Sequence, residues 1–322
     1  MLFVISLLLL CDYMCCFRFL MSSSQKPPIL WSSLSGVLKQ NAREWFIGRA
    51  EKVGIDWKEL VRQNKMKLNR LEELRAESTN QTLEYPDYYT QPFHGYDEGN
   101  LNWEAACEGE PATLNMAVNY WKEISPFISQ DWLRYNVSRN IKHYLEQSSL
   151  SEPRRILDVG CSVGMSTEYL YRAFRNSHMT GIDLSPYFIS VAKLRAEEQR
   201  LDIQYHHCNA EETHFDDASF DMVTCNFLMH ELPTQATKNV LIESFRLLSS
   251  GGAIAIVDLT PRILKNKNVL SNFKRWAFEV TEPHIYGYYD RDMPQLLREA
   301  GFINISMAPN DPFNTVWIAS KP

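Results

Sequence analysis

A glycine-containing turn follows a buried strand in the segment ILDVGCSVGMST. Asp158 lies near the end of that predicted strand, and Gly160 and Gly164 bracket the turn before the next helix. Such a turn lets the backbone approach a bound nucleotide, with the helix N-terminus aimed at it. A dinucleotide site needs the spacing G-x-G-x-x-G, but Ser162 and Met165 occupy its second and third glycine positions. The segment therefore predicts either a loop for a ligand without a pyrophosphate or a plain tight turn of an α/β protein.

A second carboxylate, Asp183, ends the next predicted strand about twenty residues after the turn. There it can accept charge-assisted hydrogen bonds from both hydroxyls of a ribose. The alternative role, an Asx cap on the following helix, is already filled by Ser185. S-adenosylmethionine carries a ribose, an adenine, a sulfonium and an amino-acid tail but no phosphate, so it fits this pattern. The turn glycines would let the chain curl around the tail, and Asp158 would place negative charge near its ammonium.

Two further polar positions are predicted to reach the same edge of the sheet. Asn209, after the third strand, offers an amide that can read an adenine edge, although a plain loop asparagine is the alternative. Asn226, near the end of the fourth predicted strand, and His230, just after it, reach this edge. Because histidine titrates near neutral pH, His230 with Glu231 can supply a general base. A structural pair flanking a helix is the alternative for these two residues.

From Arg154 onwards the chain alternates strands with helices and ends in two strands around a Pro-Asn-Asp-Pro turn. The predicted strands are Ile156–Val159, Met179–Asp183, Ile203–Cys208, Met222–Phe227, Ala253–Leu259, Ile303–Met307 and Thr315–Ala319. This alternation predicts an α/β fold with a doubly wound, mostly parallel seven-stranded sheet, helices on both faces and a terminal antiparallel pair. Ligands bind such sheets at the carboxyl ends of the strands.

The first half of the chain is predicted to form a helical cap. Helical patterns cover residues 34–76 and 112–146, and an aromatic, turn-rich segment covers residues 85–111. We refer to residues 85–111 as the aromatic segment. The predicted organisation is an apolar leader and linker (1–28), a helical and aromatic cap (29–150) and a ligand-binding domain (151–322).

Five motifs in the second half resemble those of the class I S-adenosylmethionine-dependent methyltransferases. They are, in order, ILDVGCSVGMST, GIDLSPYFI, NAEETHFDDASFDMV, RLLSSGGAIAIVD and LLREAGF. The subgroup that they resemble is the type 11 group, which includes the ubiquinone and menaquinone biosynthesis methyltransferases. An N-terminal region of uncharacterised methyltransferases from cyanobacteria and photosynthetic eukaryotes is similar to the segment YPDYYTQPFHGYDEGNLNWEAACE.

The resemblance implies S-adenosylmethionine as the cofactor and methyl transfer as the reaction. By motif position, the cofactor site would comprise Asp158, Gly160, Ser162 and Gly164 at the methionine end, Asp183 and Leu184 at the ribose, Asn209 and Ala210 at the adenine, and Asn226 nearby. Many members carry glycine where this chain has Ser162, and others accept a small residue. The alternatives are an NAD-linked oxidoreductase of the same architecture and a non-catalytic cofactor-binding scaffold.

The methyl acceptor is predicted to be a small molecule, aromatic or quinone-like, covered by the aromatic segment. The substrate candidates are Tyr89, His94, Tyr96 and Trp103. Aromatic side chains there would exclude water and favour the sulfonium through cation–π contact, whereas packing beside the core is the alternative role. No Asn-Pro-Pro-Tyr follows the fourth strand, which disfavours nucleobase amino groups, and no paired cysteines indicate a thiol or arsenic acceptor.

Composition narrows the partners further. The 322-residue chain has a net charge of −6 and no long Lys/Arg run, so no nucleic-acid partner is predicted. Its seven cysteines form no CxxC pair, which indicates reduced thiols and no metal site. Residues 1–20 are apolar but interrupted by Asp12 and Arg18, so they are a leader, an anchor or an extension before Met21, and membrane contact is predicted only there. We expect an intracellular protein, in the cytosol or an organelle such as the plastid.

Overall fold

The computed structural model describes residues 43–94, 96–118, 121, 123–261 and 282–322. The predicted leader and linker (1–28) and the start of the first predicted helical region (34–42) lie outside these residues. In the part of the chain that the structure describes, no helix combines the length and apolarity needed to cross a lipid bilayer.

One sheet organises the molecule. Its strands are β1 (Arg155–Val159), β2 (His178–Asp183), β3 (Ile203–His207), β4 (Phe220–Asn226), β5 (Leu248–Leu259), β6 (Ile303–Pro309) and β7 (Asn314–Ser320). They lie in the order β3-β2-β1-β4-β5-β7-β6. β1 to β5 are parallel, and β7 runs antiparallel between β5 and β6. The predicted fold is confirmed, and the strand order reverses between β1 and β4, where ligands bind in such sheets.

The helices come before and between the strands. In chain order they are α1 (43–52), α2 (Trp57–Met66), α3 (Leu68–Ser78), α4 (Trp103–Val118), α5 (Pro126–Gln147), α6 (Met165–Ala173), α7 (Pro186–Gln199), α8 (Thr234–Leu247), α9 (Ile285–Tyr289) and α10 (Met293–Glu299). Alternate residues of β1 face opposite layers. Ile156 lies in an apolar cluster with Ile141 of α5, and Leu157 lies in a second cluster with Leu241 of α8. Complete burial of such side chains stabilises the sheet by about 1.5–3 kcal/mol each.

The helical cap contains more and shorter helices than the sequence predicts. The predicted helical region 34–76 contains two breaks in its described part. Gly54 adopts a left-handed φ of +87°, and Asp56 then caps α2 by accepting a hydrogen bond from the Glu59 amide at 3.1 Å. A second break falls at Lys67, between α2 and α3.

The aromatic segment is also partly helical. We predicted turns up to residue 111, but α4 begins at Trp103 because Asn102 Oδ1 accepts from the Ala105 amide at 2.8 Å. Leu71 and Ala105 of the cap share an apolar cluster with Val163 of the β1–α6 turn and Phe188 of α7. The cap therefore packs directly against the predicted ligand loop.

Candidate active site

A cavity of about 510 Å³ lies where the carboxyl ends of the strands meet the helical cap. Residues at or just after the carboxyl ends of the strands line one side, including Gly160, Asp183, Asn209 and Asn226. Residues of α1, α4 and the aromatic segment line the other side. The volume falls within the range of small-molecule and cofactor sites. A single cavity thus joins the predicted cofactor loop to the predicted substrate segment.

The β1–α6 turn has a backbone that favours glycine at several positions. Gly160 has φ +68°, and a Cβ there would lie 3.0 Å from the Leu228 side chain. Gly164 has φ +82°, and a Cβ there would lie 2.5 Å from the Tyr205 hydroxyl. Ser162 also adopts a left-handed φ of +49°, at a cost of roughly 1–2 kcal/mol for a non-glycine residue. This conformation explains physically why glycine suits that position in related turns.

Asp158 lies behind the cavity wall rather than in it. It is completely buried, and its carboxylate accepts from the hydroxyls of Thr167 at 2.7 Å and Thr224 at 2.8 Å and from Asn226 Nδ2 at 2.9 Å. Burial raises the pKa of Asp158, and these three hydrogen bonds oppose that shift. Asp158, predicted to place negative charge near a ligand ammonium at the methionine end of the site, is therefore not part of the cavity lining itself. Asp158 fixes Asn226 and the start of α6, which themselves border the cavity.

Asp183 lies in the cavity wall with both carboxylate oxygens oriented by the backbone. Oδ2 accepts from the Ser162 amide at 2.9 Å, and Oδ1 accepts from the Ser185 amide at 2.8 Å. The Ser185 hydroxyl caps α7 by accepting from the Phe188 amide, as predicted. Burial raises the pKa of Asp183 to about 6 despite the two amide hydrogen bonds. Because each carboxylate oxygen can accept two hydrogen bonds, both retain capacity for donors from a ligand.

Asn209 follows β3 at the same edge. Its Oδ1 accepts from the Glu211 amide at 2.9 Å, so the acceptor half of its amide is engaged in a local turn. Its Nδ2 donors are the part that can read an acceptor atom of a base edge. Ala210 and Leu184 also line the cavity.

His230 follows β4 and pairs with a buried carboxylate of β5. Its Nδ1 lies 2.7 Å from Oδ1 of Asp258, whose Oδ2 accepts from the His230 backbone amide at 3.0 Å. Burial disfavours the imidazolium, but the charge and hydrogen bond of Asp258 outweigh it and raise the pKa of His230 to about 9. The ring is therefore mostly protonated at neutral pH, and its neutral form is a stronger base than free histidine. Asp258 holds the Nδ1 side of the ring, and His230 is part of the cavity lining.

Comparison with known proteins places this site in a family. Residues 156–252 match the family model described as a methyltransferase domain. The chain is 32% identical over 128 residues to the ubiquinone biosynthesis O-methyltransferase of Aromatoleum aromaticum, covering 39% of this chain and 49% of the relative. It is 33% identical over 124 residues to the Coxiella burnetii protein of that name, covering 35% and 51%. The chain thus spans about half the length of the curated relatives it matches.

Residues 156–252 belong to a class I S-adenosylmethionine-dependent methyltransferase domain. The resemblance found in the sequence motifs is confirmed. Among solved structures, the domain is similar to phosphoethanolamine N-methyltransferase 2 of Haemonchus contortus in complex with S-adenosyl-L-methionine. The TM-score is 0.48 at 15% identity, covering 76% of this chain and 61% of that chain.

The aromatic segment brings three of its four substrate candidates to the cavity of the methyltransferase domain. Tyr89, His94 and Tyr96 line it, and Tyr96 donates to Glu108 of α4. Trp103 does not line the cavity, so the prediction that it contacts the substrate is wrong. Its indole donates to Glu72 at 2.6 Å, because the first turn of α4 directs the side chain towards α3.

Sequence reasoning missed an arginine beside the methyltransferase turn. Arg134 of α5 lines the cavity, is only 6% exposed, and donates to the Ser166 hydroxyl in the first turn of α6. Its guanidinium lies 5.4 Å from the centre of the Phe227 ring. No motif surrounds Arg134, so only its burial opposite the turn could reveal it.

Sequence reasoning also missed a glutamate on the acceptor side. Glu282 lines the cavity, and its Oε1 lies 3.0 Å from Nε2 of His94, while Oε1 of Glu231 lies 3.5 Å from the same nitrogen. Burial lowers the pKa of His94, but the charges of both glutamates outweigh this and raise it to about 9. Burial raises the pKa of Glu231, and the charges of His94 and His230 oppose that shift. Glu231, Glu282 and Asp258, together with His94 and His230, form a charged wall of the cavity away from the turn.

Proposed function

We propose that this protein transfers the methyl group of S-adenosylmethionine to an oxygen or carbon atom of a small, largely apolar acceptor. The observation that carries the proposal is the shared cavity. One wall presents the turn and Asp183, and the adjoining wall presents the buried His230–Asp258 pair. The methyltransferase domain supports the cofactor, and the curated relatives, named as ubiquinone biosynthesis O-methyltransferases, favour an oxygen atom on an aromatic or quinone-like acceptor.

The cofactor would extend along the edge of the sheet. Asp183 would accept hydrogen bonds from the ribose hydroxyls, and Asn209 with Ala210 would flank the adenine. The amino-acid tail would follow the Gly160–Gly164 turn. Its carboxylate would face the guanidinium of Arg134, because arginine binds carboxylates with two parallel hydrogen bonds.

The reaction would be an in-line displacement at the sulfonium methyl carbon. An electron pair of the acceptor, a lone pair on oxygen or a π pair at carbon, would form the new bond to the methyl carbon while the carbon–sulfur bond breaks and its electrons return to sulfur, giving S-adenosylhomocysteine. Holding the two centres about 3–3.5 Å apart on one axis supplies much of the rate. For an acceptor O–H, the neutral form of His230, which is the minor form at neutral pH, would take the proton, and Asp258 would stabilise the resulting imidazolium.

The aromatic walls suit both reactants. Tyr88, Tyr89 and Phe93 line the cavity beside the sheet residues. Aromatic faces attract a sulfonium cation by about 0.5–2 kcal/mol, depending on exposure, and stack on flat acceptors. They would also exclude water that competes for the methyl group.

Transfer of a labelled methyl group tests the proposal. The full chain is incubated with labelled S-adenosylmethionine and a small-molecule metabolite extract, and products are identified by mass spectrometry. We expect label in an apolar metabolite, at a level that falls when Asp183→Ala replaces the wild type. Binding of the cofactor without any labelled product would instead indicate the non-catalytic scaffold.

A further inference from the structure

Glu231 presents a carboxylate to the cavity and has no close hydrogen-bond partner in the described protein, only a long ion pair with His94. Its side chain is 25% exposed and lines the cavity. Its Oε1 lies 3.5 Å from Nε2 of His94, which is too long for a good hydrogen bond. The oxygens of Glu231 therefore retain the capacity to accept a hydrogen bond from a ligand.

A second glutamate next to it is also incompletely satisfied. Glu282 is 4% exposed and holds His94 at 3.0 Å through Oε1. Its Oε2 is buried and has no hydrogen-bond partner in the part of the chain described. Buried polar atoms are nearly always paired, so an unpaired carboxylate oxygen in a cavity wall is typical of a ligand site rather than of a structural core.

The charges of this wall do not cancel when all its groups are ionised. Three carboxylates, those of Glu231, Glu282 and Asp258, face the two imidazoles of His94 and His230. Burial raises the pKa of Glu231 to about 7, so the excess is negative above that pH, and the carboxylate of Asp183 adds to it from the cofactor side. An acceptor with a carboxylate or phosphate near this wall would be repelled, whereas an O–H or N–H donor would be attracted.

We propose that Glu231, placed beside the His94–Glu282 pair, is a specificity-determining residue that accepts a hydrogen bond from an O–H or N–H group of the methyl acceptor. The protein therefore selects neutral or cationic acceptors that carry a donor and rejects acceptors that carry a carboxylate or phosphate there. That the ligand is a methyl acceptor rests on the proposed function. The selectivity itself rests on the charges and contacts of the wall.

Three phenols of nearly equal shape test the selectivity by binding alone. The full chain, saturated with S-adenosylhomocysteine, is titrated calorimetrically with 4-hydroxybenzyl alcohol, 4-hydroxybenzylamine and 4-hydroxybenzoate. We expect the alcohol and the amine to bind about tenfold or more tightly than the benzoate, since a hydrogen bond to a charged group is involved. In Glu231→Gln, the amine should lose affinity and the benzoate should gain it, which reduces the difference to about threefold or less.

A matched variant isolates the effect of position from that of charge. Glu110→Gln removes one negative charge from a glutamate outside the cavity whose side chain is 26% exposed, against 25% for Glu231, and whose Oε2 accepts from Arg195. It should keep the discrimination of the wild type. If Glu231→Gln fails to bind S-adenosylhomocysteine, Glu231→Asp serves instead. It keeps the charge but withdraws it by one methylene, so it should lose affinity for the donors and still reject the benzoate.

Three outcomes would overturn the proposal. They are equal or tighter binding of the benzoate by the wild type, unchanged discrimination in the Glu231 variants, and no binding of any of the three phenols at millimolar concentration. Because these titrations involve no methyl transfer, their failure leaves the labelled-methyl experiment to decide the proposed function. Conversely, if the labelled-methyl experiment gives no methylated product, the binding preference among the three phenols can still be measured.

Discussion

The two sides of the cavity are built in different ways. On the cofactor side, the functional groups lie at the ends of neighbouring strands of one parallel sheet. Their hydrogen-bond partners belong to the loops at the same edge, and Asp183, for example, accepts from the Ser162 and Ser185 amides. On the acceptor side, His94 comes from the aromatic segment, whereas Asp258 ends β5 and Glu282 lies beyond it. A parallel sheet forces the first set together at its carboxyl edge, but no rule of the fold requires the second. The comparison indicates that the fold dictates the cofactor side, whereas the acceptor side depends on how distant segments pack together.

The largest effect expected on the acceptor side is that of His230→Gln. Removal of a general base lowers turnover of an O–H acceptor by about 10²–10⁴-fold. The affinity for S-adenosylmethionine should stay the same, because His230 lies outside the proposed cofactor contacts. Turnover is measured by labelled-methyl transfer, with His178→Gln, an exposed histidine at the start of β2, as the matched control. Undiminished turnover would leave His230 a structural residue.

The sequence anticipated the cofactor side far better than the acceptor side, and the reason is physical. Turn glycines and a carboxylate at the end of a strand leave short patterns in the chain, so the seven strands, Asp183 and the Ser185 cap could all be predicted. Trp103 was misplaced because the cap at Asn102 starts α4 earlier than the aromatic pattern suggests. Arg134 and Glu282 leave no local pattern, since their roles arise only when distant segments pack together.

The complementary variant on the cofactor side is Asp183→Ala. Loss of charge-assisted hydrogen bonds to the ribose should weaken S-adenosylmethionine binding by about 10–100-fold. Calorimetric titration measures the affinity, with Asp202→Ala, an exposed aspartate in the loop before β3, as the control. An affinity equal to that of the wild type would refute the ribose role and weaken the division of the cavity into two sides.

The pH dependence of cofactor binding is a further test of the ribose role of Asp183. Asp183 must be ionised to accept hydrogen bonds from both hydroxyls, and burial raises its pKa to about 6. Protonation below that pH removes the charge, so affinity should be fully present near pH 7 and fall several-fold as the pH drops through about 6. Calorimetric titrations between about pH 5 and about pH 7.5 follow this loss, because that range extends about one unit or more on each side of the pKa. In Asp183→Asn the decrease should vanish, and a decrease of equal size there would assign the titration to another group.

The last comparison concerns stability and involves two glycines with similar φ angles. Gly164 in the turn has φ +82° and Gly251 at the surface has φ +76°, but only the former has close neighbours. Gly251→Ala should lower the free energy of unfolding by about 1 kcal/mol through backbone strain alone. Gly164→Ala should lose a further 1–3 kcal/mol, roughly, because its methyl group would meet the Tyr205 hydroxyl. Urea denaturation measures both losses, and equal losses would show that the turn tolerates a side chain.

The most direct test of the central claim is the choice of cofactor. The claim is that the carboxyl edge of this sheet, with Ser162 in its turn and Asp183 at its ribose position, binds S-adenosylmethionine and not a dinucleotide. Calorimetric titration of the full wild-type chain with S-adenosylmethionine and, separately, with NADH decides it. We predict saturable binding of S-adenosylmethionine at one site per chain and no binding of NADH. Binding of NADH without binding of S-adenosylmethionine would contradict the account.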